Sequence, residues 1–304
     1  MIKVGLIDNA VDSGIYADAI NRSADFSLSG LYHIQPAGTS GESIQADISR
    51  LKEYREFLNR TEALIFPRIT AEVHNLIILA LKHSKHILTG NPLNLDHDSV
   101  DHLFKLSEEA NVIFKVIQTI HYHSALKAAL EHIRNPVLLE IRNESADISE
   151  PFIDSIHRCV QPAVFINHTG MKKVQAVSIP ANNSIPDVIN ARIEFDNGCV
   201  ANVTSSRYAE ADRFICRVHQ ANQHIDIDFA GCQVSFTGFE NSNRNLSSGT
   251  INVSGNYPLD DELSGFAENI LSNTYPLSQS ESGYQTYLIS RKILEKICYE
   301  LYPA

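Results

Sequence analysis

The chain has 304 residues, more than one typical core needs, so two domains are expected. Its net charge of −11 argues against a nucleic-acid partner, which needs a basic footprint, and makes an anionic ligand hard to hold without local positive charge. No segment approaches the ~20 apolar residues of a membrane span, and M-I-K-V-G-L-I-D opens directly on a strand, so a cytoplasmic protein with no secretory signal and no membrane partner is expected. The five cysteines are widely spaced and form no C-x-x-C, which reads as buried thiols in a reducing compartment and as no metal site.

The first ~120 residues alternate strand and helix patterns, the signature of a parallel sheet covered by helices. Lys3–Ile7 is a short apolar strand. Ser13–Arg22 has helical spacing, with Ile15, Ala19 and Ile20 on one face and Asp12 or Ser13 as N-cap. Between them, V-G-L-I-D-N-A-V-D-S-G stands where a dinucleotide-binding unit carries G-x-G-x-x-G. Those glycines allow a tight turn, close backbone approach to the pyrophosphate and close helix–strand packing. Here the positions fall at Asp8, Ala10 and Ser13, with Gly14 one residue late. Two unit charges about 4 Å apart repel by about 1 kcal/mol in water and about 4 kcal/mol at an effective dielectric near 20, so a phosphate at Asp8 loses tenfold or more in affinity. The turn therefore reads as a βαβ entry kept for folding rather than as a working phosphate loop.

Phe26–Tyr32 is the second strand, Pro36–Ser43 a Gly/Ser/Thr-rich loop and Ser49–Asn59 a helix. Ala63–Phe66 is a buried strand ended by Pro67, followed by an apolar helix over Thr70–Ser84, strand His86–Leu88 and the turn Thr89-Gly90-Asn91-Pro92. Helix Asp98–Glu109 and strand Val112–Ile117 complete this half, with a boundary near Gln118–Ser124. Beyond it the period changes to 2. Val137–Arg142, Val174–Ile179, Val188–Phe195, Cys199–Ser205, Arg213–His219, His224–Asp228 and Gln233–Phe236 read as strands of an antiparallel sheet, with a hairpin turn at Asp196-Asn197-Gly198. Phe239–Gly255 is polar and is expected to be an exposed loop; Asp260–Ser272 and Tyr284–Tyr302 are two closing helices. The fold class is α/β: an N-terminal Rossmann-type parallel sheet over residues 1–120, then a C-terminal α+β domain over 121–304 with a large, mostly antiparallel open sheet.

Several stretches, in this order, resemble the Gfo/Idh/MocA (glucose–fructose oxidoreductase and inositol dehydrogenase) family. A-L-I-F-P-R-I-T and L-A-L-K-H-S-K-H-I-L-T-G-N-P-L resemble the strand, Pro turn and helix that lead to the family's G-K-H-V-L-x-E-K-P-L. H-Y-H-S-A-L-K-A-A-L resembles the crossover between domains. I-P-D-V-I-N-A-R-I-E-F-D-N-G-C-V-A-N-V-T-S-S-R resembles the sheet of a branch that oxidises the 3-position of UDP-N-acetylglucosamine, and F-A-E-N-I-L with Q-S-E-S-G-Y-Q-T-Y-L-I-S-R-K-I-L-E resembles the final helix pair. The resemblance implies last helices packing back toward the N-terminal domain, NAD or NADP as cofactor, a sugar-like ligand, and homo-oligomerisation through the sheet around Val174–Phe236.

The resemblance also implies site positions. The cofactor positions are Asp8, Asn9, Ala10, Tyr32, His33 and Pro67. None is a phosphate-cradling glycine, and the acid expected on the ribose falls at Tyr32 or His33; a protonated His33 could pair with a 2′-phosphate. The family's E-K-P lysine falls at Asn91, which cannot titrate and reads equally as a turn residue before Pro92. In I-D-S-I-H-R-C-V-Q the retained acid is Asp154. The family's His falls at Arg158, with His157 one place early, and its later Asp at Gln161. Adjacent helical positions differ by about 100°, so His157 and Arg158 cannot share a face, and Asp154 with Arg158 is also the spacing of a surface ion pair. Pro162 is expected to end that helix. His121 and Tyr122 fall at substrate-cleft positions. In strand geometry His121 and His123 would face one way, as cleft-lining residues rather than metal ligands, since no third ligand appears. These joint departures argue for lost or strongly impaired dehydrogenase activity with a binding or subunit role. The alternative is an active NAD(P)-dependent sugar oxidoreductase with His157 or His121 as a displaced base.

Overall fold

The computed structural model describes residues 1–8, 13–34, 44–145, 152–180, 186–240, 245–274 and 277–297. The chain divides into two compact units, one of residues 1–117 with 259–280, the other of 118–258 with 281–304.

Unit 1 is a parallel sheet of β1 (Ile2–Asp8), β2 (Phe26–His33), β3 (Ala63–Phe66), β4 (His86–Thr89) and β5 (Phe114–Val116), in the order β2-β1-β3-β4-β5. The connecting helices are α1 (Ser13–Arg22), α2 (Ile44–Leu58), α3 (Ala71–Lys82) and α4 (His97–Glu109). β3 and β5 are buried at every position, as strands covered on both faces must be. Thr70 and Asp96 cap α3 and α4 by accepting from the amides of Val73 and Ser99. Val4, Leu6, Ile20, Phe26, Ile65 and Leu88 form a core with Leu263 and Phe266 of a distant helix, α7 (Pro258–Ser272). Each such side chain contributes about 1.5–3 kcal/mol by leaving water. The Phe26 and Phe266 rings stack at 6.0 Å, and Arg22 of α1 holds Asp260 of α7 through two hydrogen bonds of 2.8 and 2.7 Å.

The ends of β3 and β4 meet at Gly90. Its amide donates to the Phe66 carbonyl at 2.8 Å, and a Cβ there would lie 2.1 Å from the Pro67 carbonyl oxygen. Backbone cannot yield as a side-chain tip can. Gly90→Ala is therefore expected to cost about 1–3 kcal/mol, or more where the turn cannot relax, read from urea unfolding midpoints. An unchanged midpoint would show that the two turns separate freely.

Unit 2 opens with a single 3-10 turn, Thr119–Tyr122, and helix α5 (Ser124–Leu130). Its strands are β6 (Leu138–Glu144), β7 (Met171–Pro180), β8 (Pro186–Phe195), β9 (Val200–Ser206), β10 (Arg213–Gln220), β11 (Gln223–Asp228), β12 (Gln233–Glu240) and β13 (Asn245–Asn252). They form one sheet in the order β13-β12-β11-β10-β6-β9-β8-β7, antiparallel except where β6 meets β9. α6 (Phe152–Asn167) packs on β6, β8 and β9, α5 packs on β11 and β12, and α8 (Leu277–Lys296) closes the described chain. The β8–β9 hairpin turns at Asp196-Asn197-Gly198, with Gly198 at φ 86° and the Asn197 side chain accepting from the Cys199 amide.

Three sequence expectations are corrected. Residues 245–252 are not loop but the edge strand β13, paired with β12 from Gln233↔Asn252 to Glu240↔Asn245. An exposed edge strand needs only its backbone ladder, so N-L-S-S-G-T-I-N shows no apolar alternation. Pro162 does not end α6, which continues to Asn167 with Pro162 inside. Proline there removes one helical hydrogen bond, and burial of both flanks of the helix outweighs that loss. Finally, His121 and His123 do not lie on a strand. His121 belongs to the 3-10 turn and His123 is the N-cap of α5. The predicted loop Pro36–Ser43 lies outside the described residues.

Candidate functional site

In an open parallel sheet, ligands bind beyond the carboxyl ends of the strands where strand order reverses, which in unit 1 is between β1 and β3. Asp8 is the last residue of β1, His33 the last of β2, and the parallel register places them side by side. His33 Nδ1 lies 2.6 Å from Asp8 Oδ2, and the His33 side chain is 67% exposed. Asn9 and Ala10 lie outside the described residues. Tyr32 points elsewhere. Its ring packs on Tyr54 at 4.9 Å and Phe57 at 5.6 Å, both on α2, so it is a packing residue rather than a ribose ligand. Pro67 follows β3, with its carbonyl against Gly90.

Asn91 sits in the turn after β4. Its Oδ1 accepts from the Leu93 amide at 3.2 Å, which fixes the chain around Pro92. The turn is held further by Asn94, whose Nδ2 donates to the Ile69 carbonyl at 3.0 Å.

The residues at the β1 end do not fit a pyrophosphate. Such a group needs amides and close backbone approach. Here a carboxylate paired with an imidazole stands at the strand end. A Cβ on Gly14 would meet nothing within 4 Å, so α1 makes no close approach that requires glycine there.

Unit 2 holds the other candidates. On α6, Asp154 is half-buried, Arg158 is exposed, and Gln161 and His157 are buried. The side-by-side residues His157 and Arg158 thus face differently, as helical rotation requires. His157 is 3% exposed, and its Nδ1 lies 3.4 Å from Ser290 Oγ of α8. Burial pushes its imidazole down to about 3. A general base must reach a substrate proton with a pKa near the working pH. The enclosed, neutral His157 meets neither condition and is a core residue. His121 is also buried, its ring stacked on Phe165 of α6 at 4.0 Å and 19°. Tyr122 is half-buried; Lys127 lies 5.5 Å from its ring centre, and its carbonyl accepts from Asn256 Nδ2 at 2.7 Å. His123 turns another way, edge-on to Phe229 at 5.3 Å, and accepts from the Ala125 amide. Burial holds its pKa below the ordinary value. Among the described residues no three His, Cys, Asp or Glu side chains come together as metal ligands, and no helix is long and apolar enough to cross a membrane.

Two features escaped the sequence reading. One is the Asp8–His33 pair, which the ends of two adjacent parallel strands could have signalled. The other is a buried ion pair, Lys115 of β5 with Glu262 of α7, at 3.6 Å. A lysine in the buried run F-K-V was its only sequence sign.

A doubly wound parallel sheet followed by a large mixed sheet backed by a helix defines the two-domain architecture of the Gfo/Idh/MocA enzymes. The chain is similar throughout to a solved UDP-N-acetylglucosamine 3-dehydrogenase, GnnA of Acidithiobacillus ferrooxidans, at TM-score 0.83 and 16% identity over 99% of each chain. It is also similar to a dehydrogenase (MviM) of Clostridium difficile, at TM-score 0.79 and 13% identity over 97% of this chain and 99% of that one. A third likeness is to KijD10, a 3-ketoreductase of Actinomadura kijaniata solved with NADP, at TM-score 0.77 and 14% identity over 97% of each. These likenesses show the fold. No family model matches the chain, and no curated protein matches its sequence.

Proposed function

We propose that this chain descends from the sugar-nucleotide dehydrogenases of the Gfo/Idh/MocA family, has lost or strongly reduced nicotinamide-dependent oxidation, and acts by binding a sugar-like ligand or another subunit. The fold and the neighbours that act on sugar nucleotides support the descent. The observation that carries the loss is the state of the hydride-transfer positions. Where the family resemblance places a lysine, Asn91 closes its own turn, and the nearest histidine, His157, is enclosed and neutral. Hydride leaves a sugar carbon only as a proton leaves its hydroxyl, so a site without an accessible base loses both steps together.

The test is a steady-state assay of nicotinamide reduction with UDP-N-acetylglucosamine and other sugar nucleotides, with NAD and with NADP. No turnover above the protein-free rate is expected. Sustained turnover would establish the alternative, an active oxidoreductase with a displaced base.

The subunit role is placed on the outer face of the eight-stranded sheet. That face carries a ladder of polar and charged side chains, including Asn190 bonded to Thr204 and Arg217 bonded to Asp226. A second copy of this chain is the proposed partner, through residues 174–236. Light scattering at micromolar concentration is expected to give a dimer or larger; a monomer mass overturns this.

A further inference from the structure

We infer that Asp8, held by His33, bars a dinucleotide's pyrophosphate from the carboxyl edge of the unit 1 sheet, so that the ligand accepted there is an uncharged diol such as a nucleoside ribose or a sugar. The inference rests on the proposed loss of nicotinamide chemistry and deepens it by naming the residue that sets the ligand class.

The placement comes from topology. Strand order reverses between β1 and β3, which puts the binding crevice beyond the end of β1, and the residue ending β1 is Asp8. The parallel register sets His33 beside it. The 2.6 Å contact between His33 Nδ1 and Asp8 Oδ2 fixes the carboxylate in position, while the imidazole remains two-thirds exposed to whatever enters. The Asp8 carbonyl is already taken by the Ile34 amide at 3.2 Å, so the carboxylate is what this strand end has to offer a ligand. A fixed carboxylate accepts hydrogen bonds from hydroxyls and repels phosphate oxygens. At about 4 Å and an effective dielectric near 20, that repulsion corresponds to tenfold or more in affinity. A neutral diol meets no such penalty, since its two hydroxyls can donate to the carboxylate and exchange a hydrogen bond with the imidazole.

The test is calorimetric titration of the full chain with NADH and with adenosine, for the wild type, Asp8→Asn and Asp8→Gly, at low salt and at about 0.5 M salt. Asp8→Asn keeps the shape of the side chain and removes its charge. It is expected to bind NADH at least tenfold more tightly than the wild type at low salt. The gap should narrow at high salt, where exposed charges are screened. Adenosine is expected to bind the wild type and to weaken in Asp8→Asn. Equal NADH affinity in wild type and Asp8→Asn overturns the inference. So does a gain seen only in Asp8→Gly, which would mark a steric obstruction instead. Adenosine that fails to bind the wild type, or binds both proteins equally, overturns the diol assignment. Micromolar NADH binding by the wild type would instead overturn the proposed function itself. An unbound wild type with no gain in either variant leaves that reading standing and removes only this one.

Discussion

Acidification from pH 6.5 to 4.5 is expected to cost the fold about 2–3 kcal/mol through His157 alone, and His157→Gln is expected to remove that loss. The imidazole is enclosed between α6 and α8, and burial pushes it down to about 3. In the unfolded chain a histidine titrates near 6.5. Below that pH the unfolded state takes a proton that the folded state refuses. The unfolded state then binds more protons, so stability falls as pH falls, from about 6.5 until about 3, where the folded form also protonates. Above pH 6.5 both states are neutral and the term vanishes. Other groups titrate in the same range: His86 is held below its ordinary value chiefly by burial, and Asp260 chiefly by its hydrogen bond from Arg22. The informative quantity is therefore the difference between wild type and His157→Gln, from urea midpoints at pH 7 and pH 4.5. Glutamine retains a group that can bond Ser290 and carries no proton that matters. An equal acid loss in both proteins would show that water reaches His157 in the fold, and would reopen it as a candidate base.

His157 also shows what can and cannot be read from the chain. Its helical context and its 100° offset from Arg158 follow from backbone geometry, so that the two cannot share a face was legible. Which of them is enclosed was not, because that depends on α8, whose Ser290 arrives from far along the sequence. The same division holds elsewhere. Buried parallel strands such as Ala63–Phe66 announce themselves as apolar runs bounded by Pro67, because both faces are covered. Asn245–Asn252 does not, because an edge strand is stabilised by hydrogen bonds every residue can make. The crossover at His121–His123 was misjudged because alternation over three residues fits a strand, a turn or a helix cap equally; the stacking of His121 on Phe165 decides its direction, and that contact is tertiary. The candidate site was legible as a set of departures from a pattern. What replaced each missing group, a turn at Asn91, a core at His157 and an ion pair at Asp8, required coordinates.

Removing either charge of the Lys115–Glu262 pair is expected to destabilise the protein by about 3–5 kcal/mol, while replacing both with apolar residues is expected to restore most of that loss. Lys115 is 4% exposed and Glu262 fully buried, with Nζ and Oε1 3.6 Å apart. Each charge has given up hydration worth several kcal/mol, and the other recovers much of it only while both are present. Lys115→Met leaves Glu262 as an uncompensated carboxylate beside Leu263 and Phe266, within the apolar core of unit 1. Glu262→Gln leaves an ammonium inside the sheet's own packing. The double variant Lys115→Met/Glu262→Leu has no charge to desolvate. A double-mutant cycle by urea unfolding would give a coupling energy of several kcal/mol, well beyond what an exposed ion pair yields. Near-additive losses, each under about 1 kcal/mol, would mean that water screens the pair and that α7 is held by its apolar face alone. The distinction bears on how the fold is specified. Leu263, Phe266 and Ala267 could pack on this sheet in more than one helical register, since dispersion and burial are not directional. A single buried charge pair tolerates only one. If the double variant is as stable as the wild type but unfolds less cooperatively, the pair serves to fix where α7 docks; if it is as stable and as cooperative, the apolar surface alone suffices to place it.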